Sequence, residues 1–415
     1  MTKPTEVAES TEPTESTVVT ISTYEEAREA FRQKQLRQAL YDAGDVVMAD
    51  VLVNLHGDEH RARRRLENRL FRRDSQALYE RELFPPIVAE TLAPHIAAGG
   101  AELVGLSHQM MMNLAAFTSG VDRPLGTPEE TFRLYSYLML FIEGATLAHY
   151  SGDHDAKRAE VAGALDAFDA EFLQPSIRRR LEAIARCERR ELGEDDLPRD
   201  VLTVLLRNRD ELSLPDDVVL RETCFYLLAG AHTSATAFVR TLDVIFEMAS
   251  TTPADAERAR HDIGFLQRCV HETIRLQPSS PVAMRWALEE IELASGRRLA
   301  PGDKVVIDLM SANRDTAAFG ESADLHDPHR ELAAGVAPWG LSFGLGMHAC
   351  IGQELAAGTD AIADGDAQDQ LYGLVPVAVQ AVLAAGVRPD PHAPARRDPA
   401  SERGYWASYP VVFGT

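Results

Sequence analysis

The sequence predicts a mainly helical α+β fold, and three stretches carry that prediction. From Arg81 to about Phe172 apolar residues recur at helical spacing, Met110-Met111-Met112 among them. Ser213-Leu214-Pro215-Asp216-Asp217 opens a long helix, with proline early and acids in the first turn, that runs to about Ser250. Between Glu289 and Leu309 the pattern shortens into strands separated by turns. Small sheets beside a helical mass are the expected architecture, with residues 17–415 as a single domain.

Taken in order, residues 1–16 are Thr, Glu, Pro and Ser with little to bury, and read as a disordered tail. Val18–Ile21 is a short strand, and Ser22 and Thr23, each three residues before a Glu, cap a helix over Tyr24–Gln33. Ala43–Leu55 is mixed and loop-like. Gly57-Asp58-Glu59 then opens a basic helix, from His60 to Arg73, in which His60 and Arg64 share a face at four-residue spacing. Residues 150–190 are charged and helical. Phe265–Leu276 is a helix carrying Glu272 and Arg275, which can pair at i, i+3. A buried pair of this kind fixes geometry more than it adds net stability. Asp360–Asp369, rich in Gly and Asp, does not read as a packed helix.

Composition narrows the function. Apolar content of 45% with 26% charged residues is that of an ordinary globular protein. No run of about 18 apolar residues occurs, so no membrane span is expected. With no basic-then-apolar leader either, the expected compartment is the cytoplasm. Four scattered cysteines without CxxC spacing suit neither a disulfide framework nor a zinc site. A formal net charge of −22 disfavours nucleic acid as a partner.

The chemistry concentrates in Ser342-Phe343-Gly344-Leu345-Gly346-Met347-His348-Ala349-Cys350-Ile351-Gly352. Glycines let backbone approach a flat cofactor and supply φ > 0 where a turn needs it. Backbone N–H groups at the following helix start face the sulfur and favour a thiolate. A thiolate on haem iron pushes electron density toward bound oxygen. An isolated cysteine would be read as a small buried hydrophobe; here its setting suggests a metal ligand.

This loop resembles the haem-binding signature of the cytochrome P-450 family, Phe-Gly-x-Gly-x-His/Arg-x-Cys-x-Gly, with Phe343, Gly344, Gly346, His348, Cys350 and Gly352 at its fixed positions. Other segments resemble the family in order along the chain. His60 and Arg64 match its His-x-x-x-Arg pair, Glu272 and Arg275 its Glu-x-x-Arg, and Arg285 its second propionate arginine. Ala229-Gly230-Ala231-His232-Thr233 is similar to its oxygen-activating helix segment, with His232 where an acid is usual. Ala43–Leu55 resembles its substrate-contacting loop, residues 150–190 its lid helices, and Arg403–Phe413 its closing hairpin. In Asp327-Pro328-His329-Arg330, similar to the meander before the cysteine, His326 replaces the usual aromatic residue. After Gly352 the similarity weakens, Ala357-Gly358 standing where an arginine usually continues the helix.

The resemblance implies haem b (iron protoporphyrin IX) with Cys350 as axial thiolate. His60, Arg64, Arg285 and His348 would face the propionates, and Ala229 and Gly230 would line the distal side. Thr233 and His232 would manage protons, His232 titrating around 6.5 unless burial moves it. It further implies a monooxygenase acting with O2 on an apolar small molecule. Electrons would come from a ferredoxin or flavodoxin with its NAD(P)H reductase, docked by Arg61, Arg63 and Arg65. Two other readings stand beside it. One is a non-catalytic haem carrier or sensor. The other is a serine hydrolase, because Gly340-Leu341-Ser342-Phe343-Gly344 fits GxSxG, although Pro338-Trp339 precedes the serine where that elbow needs a strand.

Overall fold

The β-branched run Val18–Ile21 forms an edge strand parallel to Lys304–Asp308; Val282–Ala287 and Leu36–Gln38 extend the sheet antiparallel from there. The structure, a computed structural model, describes residues 17–359, 370–399, 401 and 403–414. The expected tail over residues 1–16 and the stretch Asp360–Asp369 lie outside the described residues.

The helical mass is built on Asp216–Thr251, a 36-residue helix packed along Leu103–Ser119. Met110, Met111 and Met112 are fully buried there, as core. Pro128–Ala145, His154–Phe168 and Gln174–Glu188 cover one side, and Ile263–Leu276 with Leu374–Ala384 the other. Three-residue strands Gly100–Glu102 and Val387–Pro389 flank Pro410–Phe413. Mainly helical with small sheets is therefore the observed class.

Several local expectations are corrected. Thr23 occupies the N-cap of Tyr24–Arg32 but its side chain caps nothing; the Asp315 carboxylate accepts from the Tyr24 N–H at 2.8 Å instead. The basic helix ends at Glu67, followed by a 3-10 turn over Asn68–Phe71 and a new helix at Arg73. Ala43–Leu55 is a string of short helical turns. Trp406–Ser408 and Pro410–Phe413 make no hairpin: the first pairs with Arg396–Arg397, the second with Gly100–Glu102 and Val387–Pro389.

Candidate active site

The cysteine loop is positioned from Ile263–Leu276 outward. Arg275 is fully buried and donates both Nε and Nη2 to the Glu272 carboxylate at 2.7 Å, with Arg330 joining at 3.3 Å. The remaining Arg275 donors reach the carbonyls of Asn313 and Ala323 at 2.6 and 2.7 Å. Asn313 in turn accepts from the Leu341 N–H at 2.7 Å and donates to Ser342 Oγ at 2.9 Å. A buried arginine fork thus sets the backbone that enters the loop. This is a geometric use of an ion pair.

Within the loop the Cys350 N–H donates to the Phe343 carbonyl at 2.8 Å, closing the turn. Gly346 sits at φ +69°, and a Cβ there would collide with the Phe31 carbonyl. The glycine is required twice over, by conformation and by close approach. Gly352 has an ordinary φ of −92° and opens Gln353–Ala357. Its N–H points at the Cys350 sulfur.

Cys350 is exposed and lines a cavity of about 350 Å³. Phe343, Gly344, His348 and Gly352 line it on the cysteine side, and Ala229, Gly230, His232 and Thr233 on the central-helix side. His60, Arg64 and Arg285 line it as well. Apart from Gly346, whose neighbours are Phe31 and Arg32, every site residue expected from the sequence faces this one space.

Its electrostatics are unusual for so acidic a chain. Among the described lining residues there are three guanidiniums (Arg64, Arg285, Arg403) and no carboxylate. Both ring nitrogens of His348 are buried without a hydrogen-bond partner, and the ring packs edge-on against His60 at 4.6 Å and stacks near His56 at 6.2 Å. Burial and the neighbouring cations hold His60 down to about 4 and His348 to about 3. Such a wall lacks counter-anions and fits a cofactor bearing two carboxylates. Burial pushes the Cys350 thiol up, while the Gly352 N–H and Arg64 act in the opposite direction. The loop amide thus acts toward the thiolate, as the sequence suggested, and against burial; a coordinated metal cation would act in the same direction as the amide.

On the opposite side the central helix is continuous through Gly230, so the glycine does not interrupt it. Gly230 instead admits the neighbouring helix, since a Cβ there would lie 3.3 Å from that of Ala115. Thr233 Oγ1 donates to the Ala229 carbonyl at 2.8 Å and leaves its lone pairs toward the cavity. His232 stacks on His108 at 5.9 Å, and its Nε2 lies 3.4 Å from the Tyr405 hydroxyl. Burial, then the charges of His108, Arg403 and Arg240, push it down to about 3. It is neutral throughout the range in which an unperturbed histidine would titrate.

Two further expectations fail on contact with the geometry. Arg63 is buried and pairs with Glu222 at 2.8 Å, so it cannot belong to a docking face; Arg61 and Arg65 are exposed. The Ser342 hydroxyl donates to the Ile274 carbonyl at 2.8 Å, and the chain continues from it in turns, so the hydrolase elbow is not formed. Sequence reasoning missed Tyr41, His56, His108 and the cavity-facing role of Arg403, none of which stands at a recognisable spacing.

A cysteine loop set against a helix threonine across a cation-walled cavity has the arrangement expected of a haem-thiolate site. The cytochrome P450 family model matches residues 177–358. The erythromycin C-12 hydroxylase of Saccharopolyspora erythraea is 34% identical over 177 residues, 41% of each chain. The cyclomarin C epoxidase CymV of Salinispora arenicola is 30% identical over 171 residues, 41% of this chain and 40% of that one. The matches thus span about two fifths of these relatives' length. Over 95% of the chain the fold superposes on the P450 heme domain of Tepidiphilus thermophilus, with a TM-score of 0.71 at 18% identity and 88% of that chain covered. CYP109E1 from Bacillus megaterium, solved with testosterone, gives 0.69 at 18% identity, with 95% and 93% of the two chains covered. Residues 177–358, less than half of the chain, thus match the cytochrome P450 family, and nearly the whole chain shares the fold of these solved structures.

Proposed function

We propose that the chain is a haem-dependent monooxygenase that inserts one oxygen atom of O2 into a small-to-medium apolar substrate of terpenoid, steroid, fatty-acid or aromatic type. The observation that carries this reading is the Cys350 sulfur facing Thr233 across the cavity lined by Leu40, Val53, Ile142, Phe225 and Leu228. Haem bound there would supply thiolate-assisted activation of O2. Cys350 would hold its iron, while His60, Arg64, Arg285 and His348 would hold its carboxylates. Phe343, Gly344, Gly346 and Gly352 shape the loop so that the sulfur is presented, and Ala229 and Gly230 keep the opposite wall small.

The chain's own proton chemistry is limited to a few atoms. Thr233 Oγ1, its proton committed to Ala229, can accept a hydrogen bond from a water in the cavity. His232, neutral, can pass a proton only by taking one at a ring nitrogen as it gives one at the other, with the Tyr405 hydroxyl beside Nε2.

No helix among the described residues is long and apolar enough to cross a membrane. A cytoplasmic protein of one haem domain, residues 17–415, reduced by a ferredoxin or flavodoxin with its NAD(P)H reductase, completes the reading. Arg61 and Arg65 offer an exposed basic face for such an acidic donor.

Oxygen consumption with labelled O2, a ferredoxin system and an apolar substrate panel tests the function. One labelled oxygen atom in product supports it; reduction without substrate-dependent oxygen uptake would favour the carrier or sensor. In the same assay Arg61→Glu with Arg65→Glu should slow reduction at low salt and flatten its salt dependence. An unchanged rate would leave those arginines as ordinary surface.

A further inference from the structure

The cations around the cavity fall into two groups. Arg64, Arg285, His60 and His56 act electrostatically on His348, beside the cysteine. Arg403 is absent from that group. Its charge acts on His232 and Arg240, and its Nη1 lies 3.4 Å from the Tyr405 hydroxyl, which in turn lies 3.4 Å from His232 Nε2 and from the Ser279 carbonyl. Arg240, nearly fully buried, donates to the Arg403 carbonyl at 2.6 Å and to those of Gln277 and Pro278, fixing this segment. Tyr41, which also lines the cavity, feels the charges of both Arg403 and Arg285.

Charge balance then leaves a remainder. Ferric iron, a porphyrin dianion and one thiolate sum to zero, so haem brings only its two propionates. Arg64 and Arg285 match those two. Arg403 is the third guanidinium on a wall without a carboxylate, and it forms no ion pair among the described residues. Beside it His232 Nδ1 is buried and unpartnered, and Ser279 and Ser280 also line the cavity. A half-buried guanidinium on a wall with several hydroxyls and no carboxylate is complementary to a bound anion.

We infer that the substrate is an apolar molecule bearing a carboxylate, anchored by Arg403 at the Tyr405–His232 end of the cavity. The inference rests on the haem reading of the Cys350 side and assigns the substrate class for that same site. Arg403 positions the substrate and takes no part in the chemistry. A bidentate guanidinium–carboxylate contact would fix one end of the molecule and leave its apolar remainder to reach Thr233.

The test uses haem-loaded protein whose thiolate ligation has already been verified by its carbonyl complex, so failure here is separable from failure of the haem reading. Dodecanoic, hydrocinnamic and abietic acids are each compared with their methyl esters and primary alcohols by calorimetry and by the Soret shift. At least one acid should bind roughly tenfold or more tighter than both neutral partners. That preference should vanish in Arg403→Gln and survive in part in Arg403→Lys, with binding of the ester unchanged in both. Absence of any acid preference, or a preference that persists in Arg403→Gln, overturns the inference.

Discussion

Glu272→Gln should strip most of the haem from the purified protein and lower its stability by about 3–5 kcal/mol, the usual consequence of removing one partner from a buried ion pair. The carboxylate accepts from Arg275 twice, from Arg330 and from the Asp327 N–H, so its neutralisation leaves two buried guanidiniums without a counter-charge. Through Arg275 and Asn313 the damage reaches Leu341 and Ser342, the entrance to the cysteine loop. Replacing both charges, as in Glu272→Leu with Arg275→Met, should recover only part of the loss, because the carbonyls of Asn313 and Ala323 would lose their donor. Denaturant unfolding with haem content measured in parallel checks this. Full haem occupancy at wild-type stability in Glu272→Gln would mean that the pair does not hold the loop.

The second large effect belongs to Thr233. Its hydroxyl is the one nearest in sequence to Gly230 among those of the central helix that line the cavity, and its orientation is fixed by the Ala229 carbonyl. Thr233→Ala should leave substrate binding and electron uptake intact while product per reductant falls roughly tenfold or more, the remainder appearing as hydrogen peroxide. The pH dependence follows from burial. His232 is held at about 3, below its unperturbed value near 6.5, so it stays neutral from pH 5 to 8. Coupling should therefore be flat across that window in wild type, and His232→Ala should lower it without changing its shape. A wild-type curve that steps near pH 6.5 would show that the imidazole titrates after all.

The same depression acts on stability. The native state keeps His232 neutral while the unfolded chain takes up a proton below about pH 6.5, so the contribution is full above that pH. It is lost progressively toward pH 3, as the unfolded state binds the proton first.

What the sequence disclosed depended on whether a constraint was local. The Cys350 loop was legible because a tight turn against Phe31 admits only glycine at Gly346, and such demands leave fixed spacings. Glu272 and Arg275 were legible as a pair, but the loop they hold, some 40 to 70 residues further on, was not. Arg63 was misread because every face of a strongly basic helix looks solvated. Its partner Glu222 lies 159 positions away, where a buried cluster with Glu67 and Tyr226 turns one arginine inward. Gly230 serves a close contact with Ala115, which lies on another helix. The oddness after Ala357 was visible in the composition. Its form was not: the chain leaves the helix at Gly358, returns beside it at Gly373, and Thr359 donates to the Leu371 carbonyl at 2.9 Å across the neck. Gln267 reaches the carbonyls of Ala357 and Thr359, and Glu80 accepts from the N–H groups of Tyr372 and Gly373. These are long-range contacts, which no local periodicity encodes.

Haem ligation turns on one atom, the sulfur of Cys350. The direct measurement is the absorption spectrum of the reduced carbonyl complex, in wild type and in Cys350→His. The wild-type protein should show the red-shifted Soret band of a thiolate haem, and the variant should move that band to the imidazole position while keeping its helical circular dichroism. A wild-type band already at the imidazole position, or a band unmoved by Cys350→His, would contradict the assignment of Cys350 as the ligand.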